Sequence, residues 1–358
     1  MRQALALAAR GLGQVWPNPA VGCVIVANGR VVGRGHTRAG GRPHAETEAL
    51  RAAGAAARGA TAYVSLEPCN HHGATPPCAQ ALIEAGVARA VVSLRDPDPR
   101  VDGGGIARLR AAGVAVLEDL LAEPARRLNA GFLSRIQRGR PLVTLKLAGT
   151  LDGRIATASG ESRWITGEVA RARAHRLRAT HDAVLVGAQT ARLDDPELTC
   201  RLPGWSGRQP VRIVLDSRLR LSPDSRLARG ADRQPTWCLC APEAIERGAN
   251  LRAKGVELLA VPRGADGRLD LAAALRLLGG RGLTRLLVEG GAELAASLLR
   301  ARLVDRVAWF RAPLLLGQEG RPAVAELQVA RLAEAIALAP REWQPLGPDL
   351  LETFDVTA

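Results

Sequence analysis

Four residues in the first third of the chain have types and spacing suited to hydrolytic metal chemistry. They are His44 and Glu46 in "HAE" (44–46), and Cys69 and Cys78 in "EPCNHHGATPPC" (67–78). One imidazole and two thiolates are nitrogen and sulfur ligands that suit zinc. Three protein ligands leave one tetrahedral position for water, the arrangement of catalytic zinc. Zinc brings the pKa of that water to about 7. Glu46, two residues from a ligand, can take the water's proton and pass it to a leaving amine. A closed Cys2His2 structural site recruiting His71 or His72 would have no use for Glu46. These two histidines read instead as pocket walls. His36, beside Thr37 in a glycine-rich stretch, has no assigned role.

The ligands sit where helices should begin. "ETEALRAAGAAA" (46–57) predicts one helix. "TPPC" predicts the start of another, with Thr75 as N-cap, Pro76 at the first helical position and Cys78 in the first turn. A helix start carries about +0.5 charge, which predicts a stabilised Cys78 thiolate. Around them the pattern gives a helix over 2–10, a strand over 21–26 and a return strand after the Asn28-Gly29 turn signal. Strands over 61–66, 89–94 and 113–117 alternate with a helix over 78–86, closed by Gly86, and a short helix before 113. A helix over 123–137 follows. A hairpin followed by strand–helix units predicts a three-layer α/β/α domain with a mixed sheet.

"RGRP" (138–141) interrupts the pattern, so the expected domains are 1–139 and 140–358. The second half predicts strands at 142–148, 182–187, 211–216, 236–240, 256–261, 285–289 and 305–310. Helices are expected over 168–178, 270–278 and 292–301. This is a second α/β domain with a largely parallel sheet.

Composition excludes several classes. A chain of 358 residues suits two domains, and 47% hydrophobic residues supply two cores. No uninterrupted apolar run reaches membrane-spanning length. The N-terminal segment reads as a short amphipathic helix rather than a signal peptide, so a cytoplasmic protein is expected. Six cysteines in such a chain are not a disulfide framework, and Cys23, Cys200, Cys238 and Cys240 lie in or beside apolar runs. The net charge of +14 is spread evenly, with 17 Arg/Lys against 10 Asp/Glu in residues 1–139 and 32 against 25 in the remainder. No basic tail or aromatic stacking stripe accompanies it, which argues against a nucleic-acid partner. The surplus reads as solvating arginine, with an acidic small substrate such as a phosphate ester as its second meaning.

"HAE" and "PC" meet the zinc-deaminase signature, except that eight residues rather than two separate the cysteines. With that longer loop, "EPCNHHGATPPC" and "PNPAVGCVIV" (17–26) resemble the bifunctional riboflavin-biosynthesis family, a pyrimidine deaminase joined to a reductase. "KLAGTLDGRIATASGESRWIT" (146–166), "VGAQTARLDDPELTCR" (186–201) and "LVEGGAELAASLL" (287–299) resemble its reductase half. Thr150 stands where the family usually has Ser. The resemblance covers about residues 2–355. It implies a cytidine-deaminase-like first domain and a dihydrofolate-reductase-like second domain that binds NADPH. It also implies a phosphorylated pyrimidine substrate and a homodimer, formed through the C-terminal domain.

By matched position, the resemblance implies zinc on His44, Cys69 and Cys78, Glu46 as proton shuttle, and Asn18 holding the pyrimidine. It implies cofactor contacts from Ala148, Trp164, Thr190, Asp194, Ser217 and the stretch Gly291, Ala292, Glu293, Leu294, Ala295, Ala296 and Ser297. It implies substrate contacts from Ser162, Arg178, Leu198, Arg201 and Glu289. Arg178 and Arg201 suit a ribose phosphate, because a guanidinium fork pairs with it bidentately. "LLVEGGAELAA" reads as strand, Gly-Gly turn and helix, an anion site suited to dinucleotide phosphates. No G-x-G-x-x-G follows a strand, so a Rossmann domain is not supported. The reduction opens ribose to a ribityl chain and needs a proton. Asp194 is the first candidate donor and Lys146 the second, while Asp152 in "LDG" also reads as a turn residue. Two other readings compete. One is a nucleic-acid or nucleoside base deaminase with a non-reductase second domain; the other is a zinc-stabilised binding protein.

Overall fold

A computed structural model describes residues 1–71 and 76–357. The chain separates into two compact units, Met1–Arg140 and Pro141–Ala358. All six cysteines are free.

The first unit contains α1 (Arg2–Ala8), β1 (Gly22–Ala27), β2 (Arg30–His36), α2 (Ala45–Ala53), β3 (Thr61–Val64), α3 (Cys78–Glu84), β4 (Arg89–Val92), α4 (Gly104–Ala111), β5 (Ala115–Leu117), α5 (Ala122–Leu128) and α6 (Ala130–Arg138). Its sheet runs β2-β1-β3-β4-β5. β1 pairs antiparallel with β2 and β3, while β3, β4 and β5 are parallel, so the sheet is mixed as expected. The core is aliphatic and alanine-rich, with Ile25, Leu66, Leu82 and Leu109 fully buried, as the scarcity of aromatics requires.

Close backbone approach sets the position of α2. A Cβ on Gly33 or Gly35 of β2 would lie 2.2 Å from the Ala49 or Ala45 carbonyl oxygen. The bare glycines therefore let α2 lie directly on the strand, and its first turn, with His44 as N-cap, is pinned to the sheet. The single helix expected over 123–137 is instead two, α5 and α6, interrupted at Asn129. The reason is a buried clamp. Asn129 accepts from the Ala20 amide and donates to the Ala20 carbonyl, both at 3.1 Å, tying the helix break to the segment after Asn18.

The second unit contains β6 (Leu142–Thr150), β7 (Arg154–Ala156), α7 (Glu168–Ala179), β8 (Ala183–Gly187), α8 (Ala188–Asp194), β9 (Val211–Leu215), α9 (Arg226–Arg229), β10 (Thr236–Cys240), α10 (Ala249–Ala253), β11 (Glu257–Ala260), α11 (Leu271–Gly280), β12 (Arg285–Glu289), α12 (Ala292–Arg300), β13 (Arg306–Ala312), β14 (Arg321–Pro322), β15 (Leu338–Leu346) and β16 (Asp349–Val356). The nine-stranded sheet runs β11-β10-β9-β8-β12-β6-β13-β16-β15. The first seven of these strands are parallel to their neighbours. β16 and β15 close the sheet antiparallel. That hairpin was not legible in sequence, because Pro340 and Pro345 in β15 read against a strand. At a sheet edge, with a bulge beside Pro340, they are tolerated.

Candidate active sites

In the first unit, His44, Cys69 and Cys78 converge. Their ligand atoms all lie within 4.8 Å of one another. His44 Nδ1 is 3.3 Å from Cys78 Sγ and 3.6 Å from Cys69 Sγ. Tetrahedral bonds of about 2.3 Å to sulfur and 2.0–2.1 Å to nitrogen give an N···S edge of about 3.6 Å. Donor types and spacing therefore both fit one zinc ion.

Each ligand has its own support. His44 has extended dihedrals at the N-terminus of α2. Cys78 is the first residue of α3, with Pro77 as N-cap. Thr75, the expected cap, lies outside the described residues, and Pro76 precedes the helix instead of opening it. The helix start also serves a different sulfur from the one expected. The Cys78 amide donates to Cys69 Sγ at 3.3 Å, and the Ala79 amide to the Cys69 carbonyl at 3.2 Å. Hydrogen bonding from Cys78, with His44 assisting, holds Cys69 down at about 4. Cys78 is pushed up, through the same thiol pair and burial. Two sulfurs side by side resist double ionisation, which a divalent cation relieves.

Glu46 is 3% exposed, on the first turn of α2. Burial pushes it up to about 7. It borders a cavity of about 230 Å³ whose wall includes Asn18, His44, Cys69 and His71. Asn18 Nδ2 donates to the Gly41 carbonyl at 2.9 Å, which fixes the orientation of its side chain. His71 Nδ1 is buried without a hydrogen-bond partner among the described residues, as a wall awaiting a polar ligand would be. His72 lies outside the described residues. Thr37, not His36, borders the cavity. Sequence reasoning missed Asp96, Asp98 and Arg100, which form another part of the wall. In sequence the "DPDP" run carries only a turn signal.

In the second unit the candidate residues are scattered around the ends of the parallel strands. Lys146 on β6 and Glu289 on β12 are paired in register, with Nζ 4.0 Å from the carboxylate. Arg178 of α7 grips Glu289 through Nε at 2.6 Å and Nη2 at 2.8 Å, and its Nη1 donates to the Thr199 carbonyl at 2.9 Å. The fork expected to meet a phosphate is thus engaged by a carboxylate. Burial alone would raise Glu289, but Arg178, with Lys146 beyond it, holds it at about 2. Burial also lowers Lys146. Arg201 is exposed beside the same segment and reaches Thr199 Oγ1 at 3.3 Å and Glu197 at 2.9 Å.

Asp152 accepts from the Thr150 hydroxyl and from the Leu316 and Gly317 amides, so its carboxylate ties a turn. Asp194 is exposed at the end of α8. Leu198 is buried and offers a ligand only its backbone. Ser162 and Trp164 lie in an exposed stretch, where Arg171 stacks 4.5 Å from the Trp164 ring. Ala148 lies on β6 and Ser217 just beyond β9.

Gly290 and Gly291 turn β12 into α12 with φ of 96° and 82°. A Cβ on Gly290 would lie 3.0 Å from Thr190 Cγ2. This turn presents the first-turn amides of Ala292, Glu293 and Leu294, which have no intrahelical acceptor, and so fits dinucleotide phosphates. Further along, Ala295 and Ala296 are buried in the core and cannot meet a cofactor with their side chains. Ser297 is engaged by Arg268 and Arg300, each at 3.4 Å.

Comparison with known proteins adds the following. The family model for the cytidine and deoxycytidylate deaminase zinc-binding region matches residues 1–94, and that for the RibD C-terminal domain matches residues 141–351. The riboflavin biosynthesis protein RibD of Escherichia coli (strain K12) is 44% identical over 363 residues, covering 98% of this chain and 96% of that protein. Its counterpart in Aquifex aeolicus (strain VF5) is 41% identical, covering 99% and 97%. Among solved structures, Acinetobacter baumannii RibD (form 1) aligns with a TM-score of 0.91 at 38% identity, covering 100% of this chain and 98% of that one. A diaminohydroxyphosphoribosylaminopyrimidine deaminase/5-amino-6-(5-phosphoribosylamino)uracil reductase from Thermotoga maritima aligns with a TM-score of 0.86 at 33% identity, covering 100% and 97%.

Proposed function

The chain belongs to the RibD family of bifunctional riboflavin-biosynthesis enzymes, and from that membership we propose how its residues divide two reactions. The enzyme hydrolyses the exocyclic amine of a diaminopyrimidinone ribosylamino phosphate, then reduces the ribosylamino group to ribitylamino with NADPH. Residues 1–139 carry the deamination and 140–358 the reduction, a division supported by the residues each family model matches. One observation carries the reading: three zinc-type ligands within 4.8 Å and a buried glutamate on one cavity.

His44, Cys69 and Cys78 hold zinc, which supplies an activated water at neutral pH. Asn18 holds the pyrimidine against the cavity wall, and His71 faces the ring or the phosphate. Glu46 accepts a proton at its carboxylate and delivers it to the departing amine. A buried carboxyl near 7 suits both directions of that transfer.

In the reductase half, Ala148, Trp164, Thr190, Asp194, Ser217 and the first turn after Gly291 hold NADPH, which supplies the hydride. Ser162, Arg201 and the backbone at Leu198 hold the substrate, with Arg201, exposed and paired at the surface with Glu197, as the phosphate cation. Arg178 orients Glu289. Lys146 is favoured over Asp194 as proton source, because it is buried beside Glu289 and its ammonium is destabilised by burial. The protein works in the cytoplasm as a homodimer on small molecules rather than nucleic acid. None of the described helices is long and apolar enough to cross a membrane.

The test is direct. Purified protein incubated with the pyrimidine phosphate and NADPH should release ammonia and consume NADPH. Ammonia without NADPH loss would leave a lone deaminase. Neither signal would leave a binding protein.

A further inference from the structure

Glu67 opens the motif that carries Cys69, yet neither reaction above uses it. It is 4% exposed. Its two carboxylate oxygens accept four backbone amides. Oε1 takes Gly105 at 2.9 Å and Ile106 at 3.1 Å; Oε2 takes Gly103 at 3.0 Å and Asp96 at 3.2 Å. Three of these belong to the start of α4 and its approach, where orphan amides and the helix dipole favour a carboxylate. The fourth holds the loop that contributes Asp96, Asp98 and Arg100 to the cavity.

That loop is organised within itself. The Asp98 amide donates to Asp96 Oδ1 at 2.9 Å, and Arg100 grips Asp98 through Nε at 3.0 Å and Nη2 at 2.6 Å. What it needs is attachment. Besides the carboxylate, the Glu67 amide donates to the Leu94 carbonyl at 2.9 Å. Gly105 presses on the neighbouring residue, since a Cβ there would lie 2.0 Å from the Pro68 carbonyl oxygen. Farther along, Arg108 of α4 reaches Asn70 Oδ1 at 3.1 Å and Gln80 Oε1 of α3 at 2.6 Å.

We propose that Glu67 is a positioning residue of the deaminase pocket, bracing the Asp96–Arg100 wall against the segment that carries Cys69. It sets the grip on the substrate and leaves the hydrolytic step to Glu46. The two sides of the brace are not equally dependent on it. Cys69 keeps its bonds from the Cys78 and Ala79 amides when Glu67 is altered. The wall loses its side-chain anchor, so the effect falls on substrate binding. This rests on the assignment of deamination to this cavity.

The experiment compares the full-length chain with Glu67→Gln and Glu67→Asp. It reads zinc per chain, deaminase KM and kcat, and NADPH oxidation on the deaminated product. Glutamine turns two acceptors into one acceptor and one donor facing amides. KM should rise about tenfold or more while kcat stays within about threefold, zinc stays at one per chain and the reductase rate is unchanged. Aspartate keeps the charge but is too short to span both pairs of amides, so it should raise KM by a smaller factor. Loss of kcat at constant KM, loss of zinc from a folded variant, or no change would overturn the proposal. If Glu67→Gln does not fold, Glu67→Asp decides: a raised KM supports the brace and an unchanged KM overturns it. Wild-type protein that releases no ammonia would remove the cavity assignment itself, a separate failure.

Discussion

The two sites are built on different principles. In the first unit, four side chains of fixed chemistry meet in a partly buried cluster, and its three ligands are held by backbone geometry: an N-cap, a helix start and a pair of hydrogen bonds from backbone amides. In the second, much of the site is backbone and exposed side chain, with the largely buried Lys146–Glu289–Arg178 ion cluster beside it. A metal ion tolerates few ligand types and little positional slack, so its site is complete within the protein. A dinucleotide is held by many weaker contacts, several from bare amides whose residue identity matters little.

That contrast can be broken experimentally. The largest effect should come from metal removal. Chelation should abolish ammonia release and leave NADPH oxidation on the deaminated substrate intact; loss of both rates would mean that the reductase also depends on the ion. Next, Arg178→Ala should destabilise the second unit by about 3–5 kcal/mol in urea unfolding, because it strands a buried carboxylate. Arg201→Ala should leave stability unchanged and raise the reductase KM. Equal effects of the two would erase the distinction between the buried and the exposed arginine.

A smaller effect concerns pH. His181 is fully buried, bonded to the Leu177 carbonyl and Thr144, and burial with Arg285 nearby lowers it to about 3. Above about 6.5 the ring is neutral in both states and adds no pH dependence. As pH falls below that, the unfolded chain binds a proton that the folded ring refuses until about 3. Stability should therefore drop with acidification, on the order of 2 kcal/mol between pH 7 and 5. His181→Asn should flatten that part of the profile. An unchanged slope would mean that the ring is protonated inside the fold.

The metal cluster was legible in sequence because zinc restricts ligand types so strongly that His44, Cys69, Cys78 and Glu46 announce the chemistry. The mixed and parallel sheets were legible from period and order. What sequence concealed were contacts between residues far apart in the chain. Asn129 sits inside a helical pattern, and only the fold reveals that its amide belongs to Ala20. Arg178 looked like a phosphate fork because nothing in the chain's order reveals that Glu289, 111 residues away, meets it. Asp96, Asp98 and Arg100 looked like a turn because Asp and Pro are also turn formers. Glu67 looked like part of a ligand motif, and its four amide partners come from residues 96–106.

The claim at the centre is that an imidazole and two sulfurs hold the ion while a neighbouring carboxylate moves the proton. Glu46→Gln separates the two roles in one protein. It should retain one zinc per chain and full NADPH oxidation on the deaminated substrate, while ammonia release falls by about a thousandfold. Near-normal ammonia release with zinc retained would contradict it.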